Sequence, residues 1–113
     1  MKTPSAHAHS TVLHGTAVAI GESAVLLIGP SGCGKSDLAL RLIDGGGLLI
    51  ADDWVELIRI GNEVLCRAPQ SIPAELKGRI EVRGVGIAPV AATAGDIPLC
   101  WCVELIRLGA SPE

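Results

Sequence analysis

The 113-residue chain contains no phenylalanine and no tyrosine, and Trp54 and Trp101 are its only tryptophans. Without a row of rings there is no stacking platform for unpaired bases. Basic residues are also scarce. Nine Lys+Arg stand against twelve Asp+Glu, a formal net charge of -3, which argues against the basic face that nucleic-acid phosphates require. Long hydrophobic runs are missing too: the apolar stretch at residues 24–28 is far below the about 20 residues of a membrane span. Residues 1–10 lack the apolar segment of a signal peptide, so a cytoplasmic location without membrane contact is expected. Cys33, Cys66, Cys100 and Cys102 form neither a C-x-x-C pair nor a zinc-ligand spacing. In a reducing compartment they are expected as thiols that pack as small buried hydrophobes. His7 and His9 lie in a polar stretch and read as a frayed tail rather than a metal tract.

What remains is 49% apolar, enough for one modest core in a chain of this size. A disordered tail over residues 1–10 and a single domain over residues 11–113 are expected. Residues 11–20 are rich in Val, Thr and Ala and end at Gly21-Glu22-Ser23, which reads as a strand and turn. Residues 24–28 are continuously apolar, as in a strand covered on both faces. Between Lys35 and Asp44 the residues Leu38, Ala39, Leu42 and Ile43 recur at helical spacing, and Gly45-Gly46-Gly47 stops the helix. Further strands are expected at residues 48–51, 54–60 and 63–67, with Gly61-Asn62 turning the last two into a hairpin. Pro69 and Pro73 mark a loop, residues 79–82 and 99–108 read as strands, and residues 87–98 are assigned no fixed structure.

Between the second strand and the helix lies Gly29-Pro30-Ser31-Gly32-Cys33-Gly34-Lys35-Ser36, a complete G-x-x-x-x-G-K-[ST] phosphate loop in its proper context. Its glycines let successive backbone N–H groups converge on one phosphate, and the following helix adds the positive end of its dipole. Lys35 is expected to reach the β- and γ-phosphates of a nucleotide and the Ser36 hydroxyl to ligate Mg²⁺. Leu48-Leu49-Ile50-Ala51 then ends in Asp52-Asp53, an apolar strand delivering two carboxylates to the edge of a parallel sheet beside that loop. One acid can hold Mg²⁺ with its water shell while the other accepts a proton from an attacking hydroxyl.

The succession of His14-Gly15, the phosphate loop, Leu49-Ile50-Ala51-Asp52-Asp53 and Glu81-Val82-Arg83-Gly84-Val85-Gly86-Ile87 resembles the catalytic domain of HPr kinase/phosphorylase. The likeness runs from about residue 11 to residue 90. It implies an α/β fold of the phosphoenolpyruvate-carboxykinase-like phosphate-loop type, a mixed sheet with few helices. It also implies an ATP- and Mg²⁺-dependent kinase for a serine of HPr, the phosphocarrier of the sugar phosphotransferase system, reversible with inorganic phosphate and release of pyrophosphate, in a homohexamer. Carried over by position, residues 29–36 hold the nucleotide, with Lys35 on its phosphates and Ser36 on the metal. Asp52 is the general base for the serine hydroxyl and the acid in reverse. Asp53 and Glu81 serve the metal, and His14 steadies the phosphate or the catalytic carboxylate. By this resemblance the chain is expected to be a catalytic domain without the amino-terminal domain found in many members, and, since Glu113 precedes the family's later arginine-containing loop and terminal helices, one that is C-terminally shortened or minimal. The residues leave two other readings open: a phosphate-loop kinase for a small molecule, and a nucleotide- or phosphate-binding module without turnover.

Overall fold

The computed structural model describes residues 8–30, 32–71, 77–82 and 86–106. The stretch expected as one strand over residues 11–20 divides at Gly15. β1 (Ala8–His14) runs antiparallel to β5 (Trp54–Ile60) along its whole length, from Ala8 opposite Ile60 to His14 opposite Trp54. β2 (Thr16–Ile20) has other partners: β3 (Ser23–Ile28) on one side and β4 (Leu48–Ala51) on the other, both antiparallel. Gly15 is buried at the crossing, where a Cβ would stand 2.9 Å from the backbone oxygen of Leu27. Periodicity cannot register such a change of partner, because both strands alternate alike. Residues 8–10, expected in the tail, open β1 instead.

β6 (Glu63–Arg67) returns from β5 through the expected turn, and β9 (Ile97–Glu104) joins the two halves of the sheet. The seven strands run in the order β1-β5-β6-β9-β3-β2-β4, and only the β3–β9 pairing between named strands is parallel. A separate two-stranded hairpin pairs β7 (Arg79–Val82) with β8 (Gly86–Pro89).

β3 is covered on both faces, as its unbroken apolar run implies. Ala24, Leu26 and Ile28 pack with Ala17, Ala19, Val55 and Cys66 between the halves of the sheet. Val25 and Leu27 face the other way, toward Val18, Leu49 and the helix residues Leu38, Ala39 and Leu42. The helix α1 (Lys35–Asp44) has ten residues, too few to persist alone in water. Burial of Leu27, Leu49 and Val18 beneath it decides the matter, at roughly 1.5–3 kcal/mol for each fully buried side chain. A Schellman motif closes the helix: Gly47 N–H reaches the Leu42 carbonyl at 2.9 Å and Gly46 N–H the Ile43 carbonyl at 3.0 Å, with Gly46 at φ +112°.

Residues 87–98, expected without fixed structure, contain most of β8 and the start of β9. Between those strands the chain runs beside β4, where Leu49 N–H meets the Ala91 carbonyl at 2.8 Å and Thr93 N–H the Leu49 carbonyl at 2.9 Å. Pro89 ends β8 and Pro98 is the second residue of β9. Prolines at strand ends are compatible with pairing that composition alone hides. All four cysteines are free thiols as expected, but the expected burial holds only for Cys66. Cys33 is half-buried, and Cys100 and Cys102 are exposed. The outer half of β9 lies bare, with Trp101 also exposed.

Candidate functional site

β3 and β4 both oppose β2, so their carboxyl ends emerge at one edge of the sheet with Thr16, the first residue of β2, between them. Neighbouring strands lie about 4.8 Å apart, which places the two ends about 10 Å from each other. The sequence expectation of a parallel edge is corrected here: an antiparallel strand intervenes, and the acids and the phosphate loop still share the edge.

From β3 the chain enters the loop at Gly29, whose φ is +145° and where a Cβ would lie 2.5 Å from the Leu105 carbonyl oxygen. Leu105 is itself tied to the loop entrance, its N–H donating to Ile28 at 2.8 Å. Glycine is therefore required on both conformational and steric grounds. Pro30 is exposed, Gly32 has φ +83°, and Cys33 N–H turns back to the Pro30 carbonyl at 3.3 Å. Ser31, expected among the phosphate-binding residues, lies outside the described residues. Gly34, at φ +97°, starts α1 without any side-chain cap. The amides of the first turn thus present their partial positive charge toward the loop. Lys35 is buried, and its Nζ donates to the carbonyls of Gly29 at 2.6 Å and Pro30 at 3.0 Å. An ammonium has three donors, so these two bonds fix it against the loop and leave one donor. Ser36 follows in the first turn, half-buried.

At the end of β4 the two acids diverge. Asp52 is half-buried; Thr16 Oγ1 donates to its Oδ1 at 2.9 Å and the backbone N–H of Glu81 reaches its Oδ2 at 3.3 Å. Asp53 is exposed and adopts φ +75°, uncommon outside glycine. Its Oδ1 lies 2.9 Å from His14 Nε2, and a carboxylate can only accept, so that nitrogen carries the proton. His14 also meets Trp54 edge to face, ring centroids 5.3 Å apart. Each acid has its own donor, and neither is buried enough to require a shared counter-ion.

The structure therefore brings His14 to Asp53 and Glu81 to Asp52. His14 contacts the acid expected at the metal rather than the expected base. Glu81 meets Asp52 through its backbone, with its side chain exposed. Among the described residues no three His, Cys, Asp or Glu side chains are clustered as a metal site. Mg²⁺ commonly keeps several waters and takes one or two carboxylates, and the carboxylates of Asp53 and Glu81 and the hydroxyl of Ser36 are of the oxygen-donor type it prefers. Residues 83–85 of the third motif lie outside the described residues. Sequence reasoning missed Thr16. The available signal was a hydroxyl set before Ala17-Val18-Ala19 in an apolar strand, which must find a partner when buried.

Farther along the sheet, Glu56 accepts from Ser10 Oγ at 2.6 Å and from Arg67 Nε at 3.0 Å, and Arg67 also approaches Asp96 at 3.7 Å. The hydrogen bond from Arg67, aided by that from Ser10, holds the Glu56 carboxyl below its ordinary value. The reciprocal bond raises the Arg67 guanidinium.

A family model described as HPr Serine kinase C-terminal domain matches residues 5–99. The chain belongs to this family. Among similar HPr kinase/phosphorylase proteins, that of Chromobacterium violaceum is 45% identical over 87 residues, covering 77% of this chain and 26% of that protein. The Alkaliphilus metalliredigens protein is 46% identical over 88 residues, covering 78% of this chain and 28% of the relative. The chain spans about a quarter of the length of these curated relatives. The solved structure of the Hpr(Ser) kinase/phosphatase from Coxiella burnetii is 27% identical and superposes with a TM-score of 0.74, covering 91% of this chain and 70% of that one. The HPr kinase family thus accounts for the mixed sheet and its single described helix. Among the described residues no helix is long and apolar enough to cross a membrane.

Proposed function

We propose that the chain is the phosphate-loop part of an ATP-dependent protein serine kinase/phosphorylase acting on HPr, a cytoplasmic homo-oligomer of the hexameric family type. The observation that carries this reading is the shared edge: the buried Lys35 and the uncapped start of α1 at the end of β3, and Asp52 at the end of β4. The donor set suits a polyanionic substrate with a hard cation. First-turn amides and Lys35 would grip the ATP phosphates, while Ser36, Asp53 and Glu81 would hold Mg²⁺. When bound, Mg²⁺ would neutralise charge on the transferring phosphoryl group.

Asp52 would accept the proton of the acceptor serine as its oxygen attacks the γ-phosphorus of ATP and ADP leaves. In reverse, inorganic phosphate attacks phosphoserine, Asp52 returns a proton to the serine oxygen, and pyrophosphate departs. His14 orients Asp53 and so would act on the metal rather than on the base. The test is incubation with HPr, ATP and Mg²⁺, read as phosphoserine, beside a version extended to the length of the relatives. Phosphoserine formation supports the reading; its absence from both versions overturns it.

A further inference from the structure

Resting on that kinase reading, we propose that Thr16 is a positioning residue for Asp52, fixing the carboxylate so that Oδ2 takes the acceptor's proton. Thr16 is only 1% exposed and sits between buried Gly15 and Ala17, in a strand paired on both sides. A buried hydroxyl left unpaired there costs about 1–3 kcal/mol, so its bond to Asp52 Oδ1 at 2.9 Å is its means of satisfaction. The bond constrains both partners. A β-branched side chain is stiff about χ1, and the pairing of Thr16 with Leu27 holds its backbone. Asp52, by contrast, stands in a bend beyond the end of β4.

Each Asp52 oxygen keeps a free lone pair, but Oδ1 is the more tightly held, by Thr16 at 2.9 Å, so the weaker-bound Oδ2 is the more available base. Among the described residues that atom accepts from the Glu81 N–H at 3.3 Å, a long bond that leaves lone-pair capacity. Among the described residues Asp53 has no comparable buried donor, since its partner His14 is exposed. The asymmetry agrees with the base role that the family resemblance implies for Asp52.

Thr16→Val keeps the shape and the β-branch and removes the hydroxyl. Transfer from ATP to HPr should fall about 10- to 100-fold in kcat, the scale of a misplacement of about 1 Å. MgATP affinity by calorimetry and KM for HPr should stay close to wild type, while the melting temperature falls with the lost bond to a charged group. Thr16→Ser should restore most of the lost rate. Added to Asp52→Asn, Thr16→Val should cost nothing further. A wild-type rate in Thr16→Val, or a loss confined to MgATP affinity, overturns the assignment. If neither the wild-type chain nor its extended version transfers phosphate, the kinase reading fails separately. Crystal structures of the two Thr16 variants then decide the positioning role: displacement of the Asp52 carboxylate in Thr16→Val alone supports it, and an unmoved carboxylate refutes it.

Discussion

His14 Nε2 meets Asp53 Oδ1 at 2.9 Å, while the Asp53 carbonyl accepts the N–H of Gly15 at 3.0 Å. The residue after the histidine and the histidine itself thus grip one aspartate held at φ +75°. Both side chains of the pair are exposed, so it contributes under about 1 kcal/mol to stability. His14→Ala should leave the urea midpoint nearly unchanged. Its effect should appear in the Mg²⁺ requirement of phosphotransfer, raised by roughly 10-fold as Asp53 loses its orienting partner. An unaltered Mg²⁺ titration would speak against Asp53 at the metal.

Lys35 and Asp52 should separate binding from chemistry. Lys35→Ala removes the ammonium fixed on Gly29 and Pro30 and should weaken ATP binding by roughly 10- to 100-fold, since a bond to a charged group contributes about 1.5–3 kcal/mol. Asp52→Asn should bind ATP normally and lose transfer, because the residue acts on the acceptor. Equal losses of affinity in calorimetry would contradict these roles.

Stability should depend on acid through Glu56. Its carboxyl is held below the ordinary value of 4.5 by Arg67 first and Ser10 next. A depressed carboxyl stabilises the fold above its unfolded value, and that contribution disappears as pH falls through the folded value. Urea melts should show Glu56→Gln less stable than wild type by about 1 kcal/mol at pH 7, with the gap closing below pH 4.5. A gap that persists unchanged into strong acid would rule out the ionic origin.

Thiol labelling should divide the cysteines. Burial, with a smaller push from Cys102, raises the Cys66 thiol to about 11, so the nucleophilic thiolate is scarce and shielded. Iodoacetamide at pH 8 should modify the exposed Cys100 and Cys102 in the folded protein and reach Cys66 only after denaturation. Early Cys66 modification by mass spectrometry would mean that the core between the sheet halves opens readily.

Gly47 should be far more sensitive to an added side chain than Gly45. A Cβ there would stand 2.9 Å from both the Leu42 carbonyl oxygen and Val18 Cγ1, whereas Gly45 would meet nothing closer than 3.6 Å. Gly47→Ala should destabilise by about 1–3 kcal/mol, and Gly45→Ala by much less. Similar denaturation midpoints for the two variants would show that the cap relaxes easily.

Features formed by neighbours in the chain were legible early. The 3- and 4-residue spacing of Leu38, Ala39, Leu42 and Ile43 places α1, and Gly61-Asn62 places the β5–β6 hairpin, because each depends on backbone geometry within a few residues. The phosphate loop is equally local. Glycines at 29, 32 and 34 all take positive φ, and Lys35 reaches back only five and six residues to its carbonyl partners.

Residues distant in the chain left no such trace. Thr16 and Asp52 are 36 positions apart and His14 and Asp53 39, yet the acids part company because β2 and β1 diverge at Gly15 and supply different donors. Composition also hid the strands around Pro89 and Pro98 and the exposure of Cys100 and Cys102, since pairing and burial depend on what lies across the sheet. Residue order alone settles the helix, the glycine loop and the presence of two acids after an apolar strand, all governed by short-range sterics and capping. Which acid receives a buried hydroxyl, and which faces the histidine, arises only when β2 is laid between β3 and β4 and β1 beside β5, because hydrogen bonds act over about 3 Å of space whatever the separation along the chain.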